Sequence, residues 1–201
     1  YNFVGGYDFG EEAGILHVAN HHISPGKKQW TWGNGDFGQR WYQNLTDTGT
    51  GEYIELMTGV YTDNQPDFSW LEPYEEKTFT QYFMPYKEIG EVKNANIDIL
   101  LNLEIEDSKA KIAIYTTSVR KNIDIQLKTE KEVYFEEKID LTPKKAYQVE
   151  TEINSKIEDY KYKVTVIDQN GMELISYSPA KEAILQTPEP AKAAKKPEEI
   201  Q

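Results

Sequence analysis

Residues 95–128, ANIDILLNLEIEDSKAKIAIYTTSVRKNIDIQLK, decide the predicted fold of this chain. Apolar residues occupy alternate positions in three successive runs, at 97–101, 112–114 and 123–127. Because successive side chains of a β-strand point to opposite faces, each run predicts a strand with one face in an apolar core. Charged and polar residues separate the runs, which is typical of turns between antiparallel strands.

The same pattern continues toward Tyr177 and includes a predicted tight hairpin. Val164 and Val166 alternate with polar neighbours, and the turn sequence DQNG follows at 168–171. An Asn-Gly pair favours a hairpin turn because glycine adopts a positive φ without steric cost. We count about seven strands between residues 95 and 177, which is the number found in an immunoglobulin-like sandwich.

Changes in composition predict three segments in an all-β chain. Residues 1–92 contain all three histidines, all four tryptophans and six of the seven phenylalanines, but only five lysines and arginines. Residues 93–180 contain the alternating strands and are the predicted immunoglobulin-like β-sandwich. Residues 181–201 combine three prolines with many charged residues, which predicts a linker or tail because such a segment cannot form a core.

The charge balance and the lack of cysteine exclude several classes of protein. The formal net charge of −12 and the isoelectric point near 4.8 argue against a nucleic-acid partner, which would require a basic surface. The apolar runs are far shorter than the ~20 residues of a spanning helix, so we predict no membrane span. Without cysteine the redox compartment stays open, and a periplasmic or extracellular location is favoured over the cytoplasm.

Within the first segment, three strands are predicted at residues 14–18, 53–61 and 77–83. Residues 24–51 contain many glycines and no alternation, which predicts a long irregular loop. Five large aromatic residues in that loop disfavour disorder, because their exposure to water is costly: Trp30, Trp32, Phe37, Trp41 and Tyr42. We therefore expect an ordered, aromatic-rich loop.

This segment also contains the residue types that a sugar site needs. A sugar presents apolar C–H faces and a rim of hydroxyl groups, so its site combines flat rings with carboxylates, amides and imidazoles. The rings that could stack on a sugar, or alternatively fill a core, are Trp30, Trp32, Trp41 and Trp70. The polar groups that could bind its hydroxyls are His21, His22, Glu55, Asp63, Asn64, Gln65 and Asp67. We predict a carbohydrate site in which Trp30, Trp32 and Glu55 share a pocket.

Glu55 is the predicted catalytic residue. Alternation in YIELMTGVY (53–61) places it on one face of a strand, among aromatic neighbours, where a carboxylate can act as a general base. A glycoside hydrolase would need a second carboxylate roughly 5–10 Å away, and Asp63, Asp67 and Glu72 are candidates. The alternative is a solvated carboxylate on a strand surface.

The histidines do not predict a metal site. The spacing of His17 and His21 suits one face of a helix, but Pro25 leaves little room for a helix and no HExxH motif is present. On a strand, His22 would point away from the other two. We predict histidines that form hydrogen bonds, with no metal and no cofactor.

Two long stretches are similar to a known family. They are AGILHVANHHISPGKKQWTWGNGDFGQRWYQNLTD (13–47) and YIELMTGVYTDNQPDFSWLEPYEEKTFTQYFMPY (53–86). Both resemble an uncharacterised bacterial family whose members carry a galactose-mutarotase-like β-supersandwich ahead of tetratricopeptide repeats. The resemblance covers residues 1–90 and implies that they are the C-terminal part of such a supersandwich. The following sandwich and the proline-rich tail fit the domain order of that family.

The resemblance implies an activity at the anomeric carbon of a sugar. Mutarotase-like enzymes use a carboxylate from a late strand as the base, and Glu55 matches that carboxylate. The implied function is an epimerase or a glycoside hydrolase, and the implied partners are carbohydrate and the tetratricopeptide repeats of the same full-length protein. Two alternatives stay open: a non-catalytic carbohydrate-binding module, and a scaffold that docks onto those repeats.

Overall fold

The computed structural model describes residues 1–47, 49–63 and 67–181, and these residues form β-strands with one α-helix. Five strands and the helix precede residue 90: β1 (Phe3–Asp8), β2 (Ala13–Val18), β3 (Gly26–Thr31), α1 (Asp36–Leu45), β4 (Ile54–Gly59) and β5 (Tyr82–Lys87). Strands β1, β2 and β5 form an antiparallel sheet in the order β1-β2-β5, which we call the N-terminal sheet. Strands β3 and β4 form a separate antiparallel pair.

The following strands form a sandwich of two four-stranded antiparallel sheets. They are β6 (Asn94–Ala95), β7 (Ile99–Glu106), β8 (Lys109–Thr116), β9 (Arg120–Lys128), β10 (Val133–Leu141), β11 (Tyr147–Glu152), β12 (Lys163–Ile167) and β13 (Glu173–Tyr177). One sheet has the order β11-β8-β7-β6 and the other β10-β9-β12-β13. A short 3₁₀ helix, Asp159–Lys161, precedes β12. The predicted all-β sandwich is confirmed, with eight strands in the described residues where the pattern indicated about seven.

The core of the sandwich follows the alternation in the sequence. In β7, Ile99, Leu101 and Leu103 point into this core and are at most 3% exposed. Side chains of the facing sheet meet them there: Ile123, Ile125, Leu127, Val164 and Val166. Each buried side chain of this size contributes ~1.5–3 kcal/mol of transfer free energy, so this alternation is the main source of stability for the sandwich.

The opposite face of β7 is buried as well, because the N-terminal sheet covers it. Leu100 is 0% exposed and belongs to an apolar cluster that includes Leu16 and Met84 of the N-terminal sheet. Beside it, Asn102 Nδ2 donates a hydrogen bond to the Ile89 carbonyl oxygen at 2.8 Å. A second apolar layer therefore joins the first segment of the chain to the sandwich.

The hairpin predicted at 168–171 is confirmed. The Gly171 N–H donates to the Asp168 carbonyl at 3.0 Å, and the Asp168 N–H donates to the Met172 carbonyl at 2.9 Å. Gly171 has a φ of +82°, which a residue with a side chain rarely adopts. Strands β12 and β13 leave this turn as antiparallel neighbours.

Two asparagine side chains cap one edge of β13. Asn94 Nδ2 donates to the Ser176 carbonyl at 2.7 Å, and Asn96 Nδ2 donates to the Leu174 carbonyl at 3.0 Å. Strand β13 is the last strand of its sheet, so these carbonyls have no neighbouring strand to bond. The two amides satisfy them and connect the edges of the two sheets.

The irregular loop predicted at residues 24–51 is wrong in two places. Strand β3 occupies Gly26–Thr31 and helix α1 occupies Asp36–Leu45. The sequence of β3 has no apolar alternation, and its pairing with β4 is what makes it a strand. In α1, Gly38 and Tyr42 are buried at the i, i+4 spacing of a helix face, a signal that the glycine-rich composition concealed.

The strand predicted at 77–83 begins only at Tyr82. The residues before it do not pair with a neighbouring strand, and side chains attach them to the fold instead. Gln81 Nε2, for example, donates to the Thr58 carbonyl at 2.8 Å. A β-rich composition indicated a strand at these residues, but it did not predict the pairing that defines one.

We expect Leu100→Ala to lower the free energy of unfolding by about 2–5 kcal/mol, because it leaves a cavity between the N-terminal sheet and the sandwich. Urea unfolding followed by circular dichroism measures the loss. Val119→Ala is the matched control, since Val119 is 63% exposed and its truncation should cost less than ~0.5 kcal/mol. Equal losses in the two variants would contradict burial of β7 on both faces.

Candidate functional site

Trp30 and Glu55 face each other across strands β3 and β4. The register pairs Trp30 with Glu55 and Lys28 with Met57. Directly opposite residues of an antiparallel pair project to the same face, with about 4.5–5.5 Å between their Cβ atoms. This surface, which we call the Trp30 face, therefore combines an aromatic ring, a carboxylate, an ammonium group and a thioether.

An open cavity of about 510 Å³ lies on the Trp30 face. Its lining residues are Gly26, Lys28, Trp30, Met57, Gly59, Thr62, Asp63 and Asp67. Glu55 lies beside this lining, across the strand pair from Trp30. Within the described ranges, the carboxylates of Glu55, Asp63 and Asp67 make no hydrogen bond or ion pair, so they are available to a ligand.

Close packing at Gly26 places Asp63 beside the cavity. A Cβ atom on Gly26 would lie 3.0 Å from the Thr62 carbonyl oxygen and 3.1 Å from that of Asp63. The chain after β4 therefore lies directly against β3. Ser24 Oγ donates to the Gly59 carbonyl at 3.0 Å and holds the end of β4 in the same place. A larger residue at position 26 would displace the Asp63 backbone.

The other rings of this region pack on one another. Trp32 stacks on Trp41 with ring centroids 4.4 Å and planes 7° apart, and its ring meets Trp30 edge-on at 4.4 Å. Helix α1 supplies Trp41 and also Phe37, whose ring lies 6.1 Å from Trp32. The helix approaches so closely that a Cβ atom on Gly38 would lie 2.6 Å from the Trp32 carbonyl oxygen. Trp32 therefore supports Trp30 and does not line the cavity.

His21 and His22 lie apart from this cavity, in the turn that follows β2. Their ring centroids are 3.9 Å apart, and His21 Nδ1 is 2.8 Å from Asn2 Oδ1. The adjacent His22 lowers the pKa of His21, and desolvation together with nearby positive charges adds to this effect. The structure does not bring either histidine to the Trp30 face.

Trp70 also lies away from the cavity. Its side chain is 72% exposed and meets the Phe68 ring edge-on at 5.3 Å. Asn64 and Gln65 lie outside the described residues. Three of the predicted site residues line the cavity, namely Trp30, Asp63 and Asp67, and two adjoin it, namely Glu55 and Trp32.

Several lining residues were not predicted as site residues, among them Lys28, Met57 and Thr62. Lys28 lies two positions before Trp30, so strand periodicity would have placed both side chains on one face had β3 been predicted. For Thr62 the sequence contains no such signal, because its position depends on the contact between Gly26 and the chain after β4.

Matches to two known families divide the chain between residues 87 and 94, close to where the N-terminal sheet ends and the sandwich begins. Residues 1–87 match the model of a domain of unknown function, DUF5107. Residues 94–177 match the model described as YphG-like protein, second domain. These matches indicate an uncharacterised family. No solved structure matches the chain, and the arrangement of a mutarotase-like domain before tetratricopeptide repeats stays a prediction.

The structure also bears on the predicted absence of a membrane span. In the described ranges, the helix has neither the length nor the apolar content needed to cross a bilayer.

His17 is buried in the N-terminal sheet without a hydrogen-bond partner. It is 2% exposed, and neither ring nitrogen has a partner among the described residues. The Phe83 ring lies 5.0 Å away, centroid to centroid. Burial, aided by the positive charge of Lys27, lowers the pKa of His17. The His17 ring is therefore harder to protonate in the folded chain than in the unfolded chain.

We expect the free energy of unfolding to fall as the pH drops below about 6.5, the ordinary pKa of an unfolded histidine. The contribution of His17 is complete above that pH and is lost as the pH falls through its lowered folded-state pKa. His17→Phe should therefore reduce the loss, as measured by urea unfolding between pH 7.5 and 5. An equal loss of unfolding free energy on acidification in the variant and the wild type would refute this role of His17. Any part of the loss that is due to His21 is common to both proteins.

Proposed function

We propose that the Trp30 face binds carbohydrate and is the recognition surface of a carbohydrate-active domain. The observation that supports this most directly is the register of β3 and β4, which sets the Trp30 ring beside Glu55 and next to a cavity with two further carboxylates. A ring can stack on the C–H face of a pyranose while carboxylate oxygens accept hydrogen bonds from its hydroxyl groups.

The size and the free groups of the cavity agree with this proposal. Its volume of about 510 Å³ falls within the ~300–1,000 Å³ typical of small-molecule sites. Asp63 and Asp67 both line it, and neither carboxylate has a partner among the described residues. Unpaired acceptors beside a ring are better suited to a polyhydroxylated ligand than to an apolar one.

Glu55 is the proposed catalytic group if the domain turns over its sugar. The resemblance to mutarotase-like enzymes suggests a base at the anomeric centre, for an epimerase or a glycoside hydrolase. A hydrolase needs a second carboxylate, and Asp63 and Asp67, which line the cavity, are the candidates. Without turnover, the same groups would serve a carbohydrate-binding module.

The scaffold alternative draws its support from the other rings. The rings of Trp32 and Trp41 stack on each other, as aromatic residues with a structural role do. Phe37, Trp41 and Leu45 lie along one exposed side of α1 and could contact another domain, such as the tetratricopeptide repeats implied by the resemblance. This surface is distinct from the Trp30 cavity, so docking there would not occupy the proposed sugar site.

Trp30→Ala should weaken the affinity for a bound oligosaccharide about tenfold to a hundredfold, because it removes the stacking surface worth ~1.5–3 kcal/mol. Isothermal titration calorimetry against a panel of neutral, amino and acidic oligosaccharides measures the change. Phe9→Ala is the control, since Phe9 is an exposed ring after β1 and outside the cavity. Failure of the wild-type protein to bind any member of the panel would end the proposal.

Glu55→Gln separates an enzyme from a binding module. The amide keeps the shape of the side chain but cannot accept a proton, so an enzyme should lose turnover by at least about a hundredfold while it retains its affinity. Product release and binding are measured on the same sugar. Turnover that persists unchanged in the variant would remove Glu55 from the catalytic role.

A further inference from the structure

A second cleft, of about 640 Å³, lies where the N-terminal sheet meets the edge of the sandwich. Three parts of the chain form it: the turn after β2, the segment before β5 and the turn between β6 and β7. Its lining residues are Asn2, Val18, Ala19, Asn20, His21, Ile23, Thr78, Phe79, Thr80, Tyr82, Ala95, Asn96 and Ile97. None of these residues lines the Trp30 cavity.

The lining of this junction cleft contains no aspartate, glutamate, lysine or arginine. Such residues make up 28% of the chain, so an uncharged lining of this size is a distinctive surface. The rings of Phe79 and Tyr82 are both more than 40% exposed, and they provide flat apolar area. The hydroxyl groups of Thr78 and Thr80 have no hydrogen-bond partner among the described residues.

His21 lines the cleft, and its hydrogen bonds define which ring nitrogen is an acceptor. Asn2 Oδ1 accepts the backbone N–H of His21 at 3.0 Å, which identifies that atom as the amide oxygen. The 2.8 Å contact of the same oxygen with His21 Nδ1 therefore requires a proton on Nδ1. In the neutral ring this leaves Nε2 as an acceptor, to which an O–H or N–H group of a ligand can donate.

We propose that the junction cleft is a second saccharide site, which takes an uncharged sugar between Phe79, Tyr82 and the polar groups of Thr78, Thr80 and His21. Ligand sites occur preferentially where structural units meet, as this one does. The inference shares with the proposed function the class of ligand, but it concerns separate residues.

The test uses neutral β-1,4-linked hexasaccharides of glucose, xylose and mannose, titrated into wild-type protein and Trp30→Ala by calorimetry. Trp30→Ala should keep binding at the junction cleft with reduced stoichiometry. In that background, Thr78→Val together with Thr80→Val should weaken the remaining affinity about tenfold, through loss of two hydroxyl contacts at nearly constant shape. Ser155→Ala, which removes an exposed hydroxyl outside both sites, is the control and should change nothing.

The outcomes separate the two proposals. Binding that disappears completely in Trp30→Ala would overturn the second site and leave the first in place. A hexasaccharide that binds Trp30→Ala equally well with and without the threonine substitutions would also overturn it. If no hexasaccharide binds the wild-type protein, the junction cleft is not a neutral-sugar site, whereas binding of only amino or acidic sugars would still support the Trp30 face. A further loss of affinity when the two threonine substitutions are added to Trp30→Ala, with no loss when the control substitution is added, would support the inference.

Discussion

Burial of strand β7 on both faces is the constraint on which the rest of the structure depends. One face, with Ile99 and Leu101, closes the core of the sandwich, and the other, with Leu100, closes the contact with the N-terminal sheet. A strand that is apolar on both faces is stable only between two layers, because either face in water would cost several kcal/mol. The chain therefore stacks three sheets around this strand.

Both candidate sites are consequences of this stacking. The junction cleft lies where the N-terminal sheet meets the edge of the sandwich. The Trp30 face lies on the β3–β4 pair, which contacts β1 on the side of the N-terminal sheet away from the sandwich. Leu56 of this pair packs against Gly6, where a Cβ atom would be 3.9 Å from its methyl group. A rigid central layer thus supports two surfaces with different chemistry.

The sequence was sufficient for features that depend on neighbouring residues. Alternation predicted the inward side chains of β7, and the Asn-Gly pair predicted the turn at Gly171. It was insufficient where a distant partner decides the structure: β3 is a strand because of β4, whose register also sets Trp30 opposite Glu55. Composition grouped His21 with the tryptophans, but the turn after β2 carries it to a different cleft. Proximity in sequence did not translate into proximity in space.

The amides that cap β13 have a consequence for behaviour in concentrated solution. An edge strand with free carbonyl groups is a template on which strands from other molecules can assemble into fibres. Here the carbonyls of Leu174 and Ser176 already accept hydrogen bonds from Asn96 and Asn94. An incoming strand would have to displace both amides first. Two neutral side chains thereby protect one edge of the sandwich against aggregation, without added charge.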